Sequence, residues 1–329
     1  MSLNRIWGAV RPVATAMIAL GLVAAEAGAG TTIYAFGDSL MDTGNVLERS
    51  GGTVPTPPYA GGRFTNGPVF VEVLADQLGL ARPTPSLLGG TNYAYGGART
   101  GDGAGPVFFR GELVPVLADN VGMQVDTFIL GGGSLDADDL VVINGGGNDI
   151  LSVLLGVTPD PVGWAGELVS SIAELAGVGG SRFVVANLPP LGLTPLLRSL
   201  GGDLPGTFNL LSSVFNQALD AGLDALEASL GLEIFRLDVE GITAASVADP
   251  GRFGLSNATD AAFPIGGDVV ANPDEYLFWD DVHPTAAGHR LVGVAAAQLV
   301  IPEPSSLALS ALGAASGLLA VAARRRRAA

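Results

Sequence analysis

Residues 140–144 form an uninterrupted apolar run, Leu-Val-Val-Ile, that ends in an asparagine. Successive side chains of a β-strand point to opposite faces of its sheet, so a strand that is apolar throughout must be covered on both faces. Further segments that predict buried strands lie at residues 33–36, 182–187 and 232–237. Stretches of helical character at 161–176 and 208–230 lie between them. This alternation favours βαβ units and predicts an α/β fold with a parallel sheet.

Glycines and polar residues follow the predicted strands. The first strand is followed by Gly-Asp-Ser, which puts Ser39 just after it, and the run described above is followed by Gly-Gly-Gly-Asn, which ends at Asn148. A third strand-then-glycine unit, at 91–98, contains Gly96 and Gly97. The carboxyl ends of parallel strands lie along one edge of a sheet, so we expect these residues to converge there.

The chain has two histidines, His283 and His289, and Asp280 lies three residues before the first of them. A serine hydroxyl is a weak nucleophile until a base takes its proton and a further group orients that base. A turn can fold a carboxylate onto an imidazole three residues away, whereas side chains two positions apart, as in Asp281, tend to diverge. The pattern predicts Ser39 as nucleophile, His283 as base and Asp280 as the orienting acid, with His289 an ordinary residue of the last helix.

Acyl transfer also needs hydrogen-bond donors for the oxyanion that forms on the substrate. A glycine N–H can approach a substrate closely because no Cβ is in the way, so the turn at Gly96 and Gly97 is a candidate, and the Asn148 amide is a second donor. Each feature alone has an ordinary explanation: a serine after a glycine is usually a turn residue, and Asn148 is suited to capping a helix. The combination at strand ends is what predicts acyl transfer.

The composition excludes several classes of function. The chain has 32 acidic and 16 basic residues and a net charge of −16, which argues against nucleic acid or anionic lipid as a partner. It has no cysteine, so disulfides and thiolate metal sites are absent. Two histidines are too few for a histidine-rich zinc site, and we expect neither a metal nor another cofactor.

Both ends of the chain have the character of targeting segments. Residues 1–29 begin with arginines, continue through an apolar stretch and end in small residues, a pattern typical of a secretory signal peptide. At the other end, 301–329 contains Pro-Glu-Pro, an apolar segment at 307–323 and four consecutive arginines. Seventeen residues is near the lower limit, ~17, for a membrane span. A single globular domain at 30–300 is therefore predicted between them.

A loop rich in proline and glycine, residues 41–62, follows Ser39. A long loop beside a reactive turn is suited to forming one wall of a substrate cleft. A helix is predicted next, with Asn66 as its N-cap, Pro68 in its first turn and a stop at Gly79.

Four segments resemble, in order, the sequence blocks of the GDSL (SGNH) esterase/lipase family. They are Gly37-Asp38-Ser39-Leu40, Asn92-Tyr93-Ala94-Tyr95-Gly96-Gly97-Ala98, Gly146-Gly147-Asn148-Asp149 and Asp280-Asp281-Val282-His283. The resemblance implies a three-layer α/β/α, flavodoxin-like SGNH-hydrolase fold with a parallel sheet of about five strands. It also implies a triad of Ser39, Asp280 and His283.

In the same resemblance, the oxyanion hole consists of the Ser39 N–H, a glycine N–H and the Asn148 amide. Gly97 lines up with the glycine of the family block better than Gly96 does. The implied function is a secreted serine hydrolase that cleaves carboxylic esters, esterase- or lipase-like, through an acyl-enzyme. Two alternatives remain open: a carbohydrate O-acetylesterase that acts on envelope or exopolysaccharide, and a non-catalytic surface or matrix protein on the same scaffold.

The tail resembles a PEP-CTERM sorting signal. This implies transient membrane insertion of the apolar segment and removal of the tail by an exosortase-like enzyme. The implied location is the envelope of a Gram-negative bacterium, or outside the cell after processing.

Overall fold

A computed structural model describes residues 30–301 of the chain. The predicted signal peptide and nearly all of the predicted sorting tail, with its apolar segment, lie outside the described residues. Within 30–301, no helix combines the length and the apolar character that a membrane crossing requires. In that part of the chain the strands are β1 (Ile33–Phe36), β2 (Ala104–Phe109), β3 (Glu112–Asp119), β4 (Leu140–Ile143), β5 (Arg182–Ala186), β6 (Glu233–Leu237), β7 (Asn257–Ala261) and β8 (Tyr276–Phe278).

Helices connect and cover these strands. The α-helices of the described residues are α1 (Asn45–Arg49), α2 (Phe70–Leu78), α3 (Val121–Leu130), α4 (Gly147–Leu151), α5 (Pro161–Gly177), α6 (Pro195–Leu200), α7 (Leu204–Leu230), α8 (Val239–Ala248) and α9 (Ala286–Val300). The helices predicted at 161–176 and 208–230 correspond to α5 and α7, the second beginning four residues earlier than expected.

The central sheet has four parallel strands in the order β1-β4-β5-β6, so the predicted α/β fold with a parallel sheet is confirmed. The fifth strand expected at 91–98 is reduced to an edge segment beside β1. Tyr93 N–H donates to the Ala35 carbonyl (2.7 Å) and Tyr95 N–H to the Gly37 carbonyl (3.1 Å), but between this segment and β1 the one bridge pair in the described residues is Ala35 with Asn92. The Asn45 side chain also binds this segment, because its amide donates to the Asn92 and Ala94 carbonyls.

The two faces of β4 bury alternate side chains in two separate cores. Val141 and Ile143 pack with residues of α3, α5 and α7, whereas Leu140 and Val142 pack with residues of α2, α8 and α9. All four side chains are fully buried, and burial of such a side chain stabilises the fold by about 1.5–3 kcal/mol. The sheet is therefore covered by helices on both sides, which makes three layers.

Helix α2 begins at Phe70, not at the predicted Asn66 cap. The chain is extended at Val69, and the Glu72 carboxylate accepts the Val69 N–H (3.1 Å). The Asn66 amide oxygen instead accepts the Ala286 N–H (2.7 Å) at the start of α9. The predicted stop is correct, because α2 ends at Leu78 and Gly79 has a φ of 68°.

The antiparallel hairpin β2–β3 forms a separate two-stranded sheet, and no sequence pattern predicted it. Its small core contains Val107, Val116 and Ala118, packed against Phe64 and Tyr95. Most of its other residues are partly or fully exposed, so the alternation that marks a half-buried strand is weak.

Candidate active site

Ser39 lies in the turn after β1, and its surroundings are fixed by hydrogen bonds to neighbouring elements. The Asp38 carboxylate accepts the Leu40 N–H (2.9 Å) and the Asn144 amide (2.8 Å). A Cβ at Gly37 would overlap the Asn144 side-chain oxygen, so this position requires glycine. At Gly37 the chain therefore passes in van der Waals contact with Asn144, just after β4. Ser39 lies at the carboxyl edge of the sheet and is 8% exposed.

The structure brings Ser39, His283 and Asp280 together in one hydrogen-bonded chain. The Ser39 Oγ lies 2.9 Å from His283 Nε2, and His283 Nδ1 lies 2.8 Å from Asp280 Oδ2. The turn after β8 holds the carboxylate in place, since Asp280 Oδ1 accepts the N–H groups of Val282 (3.0 Å) and His283 (2.8 Å). With Nδ1–H pointing at the carboxylate, Nε2 is left to accept the serine proton.

Tyr59 completes the set of donors to Asp280, and sequence reasoning missed it. Its hydroxyl donates to Asp280 Oδ2 (2.7 Å), and the residue is only 4% exposed. The ring packs against Phe109 and Trp279, with ring centroids 5.0 and 5.8 Å away. Tyr59 lies in the proline- and glycine-rich loop that was expected to form a cleft wall. The sequence held only a general signal for this contact, because the hydroxyl of any tyrosine that becomes buried needs a hydrogen-bond partner.

Burial and charge act in opposite directions on the pKa values of this pair. Burial alone would raise the pKa of Asp280, but the facing His283 and the hydrogen bonds it accepts hold that pKa below the ordinary 3.8. Burial alone would lower the pKa of His283, but the Asp280 carboxylate raises it above the ordinary 6.5. Asp280 is therefore ionised at neutral pH and favours an imidazolium beside it.

The two competing assignments, Asp281 and His289, lie in different surroundings. Asp281 makes no hydrogen bond to His283, and its buried Oδ2 has no partner among the described residues. His289 is 2% exposed, its Nδ1 accepts the Phe70 N–H (3.2 Å), and burial lowers its pKa to about 3. His289 is therefore a neutral side chain that holds α9 against α2.

Candidate oxyanion donors converge on Ser39. The Gly96 N–H is occupied, because it donates to the buried Asp42 carboxylate (2.9 Å). Within residues 30–301, the N–H groups of Ser39 and Gly97 have no acceptor. The Asn148 amide donates one hydrogen to the Ala98 carbonyl (2.8 Å), which orients the side chain and leaves its second hydrogen available.

Two buried carboxylates support these loops. Asp42 Oδ1 accepts the Gly44 and Asn45 N–H groups, each at 2.7 Å, and burial raises the pKa of Asp42 to about 6. Asp149 accepts the Thr100 N–H (3.1 Å), and burial raises its pKa to about 7. Across residues 30–301, no group of three or more histidine or acidic side chains is placed to hold a metal ion.

Two cavities meet at Ser39. The larger, about 300 Å³, contains Ser39, Gly97, Asn148 and His283 in its wall. The smaller, about 90 Å³, also contains Ser39, Asn148 and His283 in its wall, which is otherwise mainly apolar. Ser39, His283 and Asn148 thus line both cavities, whereas Gly97 lines only the larger of the two.

A serine hydroxyl, a histidine and a buried carboxylate in series at the edge of a parallel sheet are typical of serine hydrolases. Residues 33–295 match the family model of GDSL-like lipase/acylhydrolase, and residues 300–327 match the PEP-CTERM protein-sorting motif. The chain therefore belongs to the GDSL-like lipase/acylhydrolase family, and both resemblances noted in its sequence are confirmed. The sorting motif indicates export to the cell envelope or beyond it.

The relatives include bacterial and plant esterases. Esterase EstA of Pseudomonas aeruginosa is 30% identical over 86% of this chain and 49% of its own length. Phosphatidylcholine-sterol acyltransferase of Aeromonas hydrophila is 26% identical over 89% of this chain and 97% of its own length. A Pseudomonas putida protein from the trpE-trpG intergenic region matches at 29% over 84% of this chain and 50% of its own length, so the chain spans about half of the Pseudomonas proteins. Among solved structures, an aryl esterase of M. smegmatis is 19% identical, with 82% of this chain and 98% of that chain covered and a TM-score of 0.44.

Proposed function

We propose that this protein is an exported carboxylic ester hydrolase that forms an acyl-enzyme on Ser39. The observation that carries the proposal is the hydrogen-bonded series in which Ser39 Oγ lies 2.9 Å from His283 Nε2 and His283 Nδ1 lies 2.8 Å from Asp280. This spacing suits proton transfer from the hydroxyl to the imidazole. Relatives named as esterases support the same conclusion.

In the proposed reaction, His283 takes the Ser39 proton while Oγ forms a bond to the ester carbonyl carbon. The carbonyl oxygen becomes an oxyanion that accepts the Ser39 and Gly97 N–H groups and the Asn148 amide. As the tetrahedral intermediate collapses, the C–O bond to the alcohol breaks and the alcohol leaves with the proton from His283. Water, deprotonated by His283, then hydrolyses the acyl-enzyme and releases the acid and free Ser39. Asp280 stabilises the imidazolium in both halves.

We also propose where the protein acts. Cleavage of the tail near its Pro-Glu-Pro sequence by an exosortase-like enzyme would release the domain into the envelope of a Gram-negative bacterium or its surroundings. The sorting motif at residues 300–327 supports this proposal. The esters it meets there are small molecules, lipids or acetylated glycans.

The test is hydrolysis of p-nitrophenyl butyrate by the purified protein and by Ser39→Ala. Loss of the nucleophile is expected to lower kcat/KM by a factor on the order of 10⁴ or more. Ser170→Ala, which removes an exposed hydroxyl on α5, is the matched control and should keep wild-type activity. A fluorophosphonate probe should label the wild type and not Ser39→Ala. An unlabelled, inactive wild type would favour the non-catalytic alternative.

A further inference from the structure

The wall of the larger cavity carries charged side chains besides the catalytic pair. Asp280 and His283 bind each other in the hydrogen-bonded series described above. The other charged side chains in this wall are Asp281, Arg99 and Arg110. A substrate that enters the cavity therefore meets two guanidinium groups and one further carboxylate.

Arg110 already has partners within the protein. Its guanidinium donates to the Phe263 (3.2 Å) and Pro264 (2.9 Å) carbonyls and lies 3.7 Å from the centre of the Phe263 ring. Its charge also acts on Asp281, because burial and the Asp280 charge raise the pKa of Asp281 and the Arg110 charge opposes this rise. Arg110 is therefore held in place, and a carboxylate in the same wall balances its charge.

Arg99 has no partner of this kind. Among the residues that the structure describes, its guanidinium makes neither a hydrogen bond nor an ion pair, although the side chain is partly buried. Arg198 and Arg290 also lack such contacts there, but both are exposed to solvent. Five other arginines in residues 30–301 pair with carboxylates: Arg49, Arg63, Arg82, Arg182 and Arg236.

Backbone contacts hold Arg99 beside the oxyanion donors. It directly follows Ala98, whose carbonyl accepts the Asn148 amide (2.8 Å). The Arg99 N–H donates to the Asn120 side-chain oxygen (3.0 Å), and the Arg99 carbonyl accepts the Val121 N–H (2.8 Å). The local fold therefore does not depend on a contact of the guanidinium.

The acidic side chains next to Arg99 have other partners. The Asp149 carboxylate accepts the Thr100 N–H (3.1 Å), and the Glu167 carboxylate accepts the Thr100 hydroxyl (2.7 Å). Burial raises the pKa of Asp149 to about 7 although the Arg99 charge opposes this rise, so Asp149 is only partly ionised at neutral pH. The positive charge of Arg99 is thus not matched by a bound carboxylate.

A partly buried guanidinium gives up hydration, and a bound anionic oxygen restores its hydrogen bonds. Its planar arrangement of donors matches a carboxylate or a phosphate in two parallel hydrogen bonds. The chain has a net charge of −16, which repels anions at long range, so an anionic substrate requires a local cation where it binds. Arg99 supplies that cation in the wall that also contains Ser39.

Resting on the proposed function, we propose that Arg99 binds an anionic group of the ester substrate. The natural substrates then carry a carboxylate or a phosphate in addition to the ester bond that Ser39 cleaves. Either the acid or the alcohol half of the ester can bear this group, and the choice of test esters distinguishes the two.

The test compares kcat/KM for matched anionic and neutral esters at one pH and one ionic strength. Mono-4-nitrophenyl adipate and 4-nitrophenyl hexanoate differ by a carboxylate on the acid half. On the alcohol half, 4-acetoxybenzoate carries a carboxylate and 4-acetoxyphenyl phosphate a phosphate, and 4-acetoxybenzamide is their neutral counterpart. A hydrogen-bonded contact between charged groups predicts an anionic-to-neutral ratio of about 10 or more in at least one pair. A ratio of 1 or less in every pair would overturn the inference.

Variants assign the preference to Arg99. Arg99→Gln is expected to lower the ratio of the preferred pair by about tenfold, and the rate on the neutral ester in the same sample corrects for any loss of folded protein. Arg290→Gln is the matched control, because Arg290 lies exposed on α9 and outside the wall of the larger cavity, and it should leave the ratio unchanged.

An unchanged ratio in Arg99→Gln would overturn the inference and leave the proposed function standing. No hydrolysis of any of these esters by the wild type would contradict the proposed function itself.

Discussion

The hydroxyl of Tyr59 is the most specific target for testing how Asp280 works. Tyr59→Phe removes one hydrogen bond of 2.7 Å to a buried carboxylate and keeps the ring that packs against Phe109 and Trp279. A hydrogen bond to a charged group contributes about 1.5–3 kcal/mol. Because the hydroxyl stabilises the carboxylate throughout the reaction, we expect most of this energy to be lost from the free energy of unfolding. The loss in kcat/KM at pH 8 should be smaller, at most about tenfold.

The pH profile of activity distinguishes a role of Tyr59 in positioning Asp280 from a role in stability alone. With one donor fewer, the carboxylate is less stabilised and attracts the His283 proton more strongly, so the pKa values of both groups rise. The wild type should lose activity as pH falls through a His283 pKa above 6.5, since only the neutral imidazole accepts the serine proton. In Tyr59→Phe this acid limb should lie at higher pH. Charges near the pair that remain are Asp38, Asp281 and Arg110.

The assay is hydrolysis of p-nitrophenyl butyrate between pH 5 and 9, together with urea unfolding. Tyr93→Phe is the control: its ring stacks on Phe36 at 5.2 Å, and its hydroxyl makes no hydrogen bond within residues 30–301. It should match the wild type in profile and rate. If Tyr59→Phe kept both the wild-type acid limb and the wild-type stability, the reasoning about this contact would be wrong.

Two further substitutions test the remaining carboxylates. Asp280→Asn should lower kcat/KM by about 10³–10⁴, because an amide cannot stabilise the imidazolium. Asp281→Asn leaves the His283 contacts intact and should keep a kcat/KM near that of the wild type. Equal losses in the two variants would contradict the assignment of Asp280. Asp149 has a pKa of about 7 in the folded protein against an ordinary 3.8, so the wild type loses stability as pH rises from 4 to 7. Asp149→Asn should therefore raise the free energy of unfolding at pH 8 by up to about 4 kcal/mol. At pH 4, urea unfolding should show little difference between the variant and the wild type. The same gain in stability at both pH values would refute this explanation.

The sequence predicted most directly those features whose residues lie close together in the chain. The β4 run is apolar on both faces, so its burial between two helix layers was evident from four residues. Asp280 and His283 are three residues apart, and a single turn brings them together. Ser39 and His283 are separated by 244 positions, and their pairing followed from the sheet-edge rule, the scarcity of histidine and the family resemblance.

Contacts without a local pattern escaped prediction. Tyr59 and Asp280 are 221 positions apart, and nothing in the proline- and glycine-rich loop distinguishes a tyrosine that contacts the acid from one that only packs. The hairpin β2–β3 exposes most of its residues, so its strands lack the periodicity that marked the sheet. The bond from the Gly96 N–H to the Asp42 carboxylate, between residues 54 positions apart, also had no local signal.

The hairpin β2–β3 packs through Val107, Val116 and Ala118 into a small core that it shares with neighbouring loops, apart from the two cores that hold the sheet. Hairpin residues outside this core can be exchanged with little effect on β1, the strand that presents Ser39, because β1 packs in the other two cores. The turn at Gly97 belongs to the same core as the hairpin, because Tyr95 and Ala98 pack in one cluster with Val107. Exposed hairpin residues can therefore change freely in evolution, whereas Val107 is constrained by its position against Gly97.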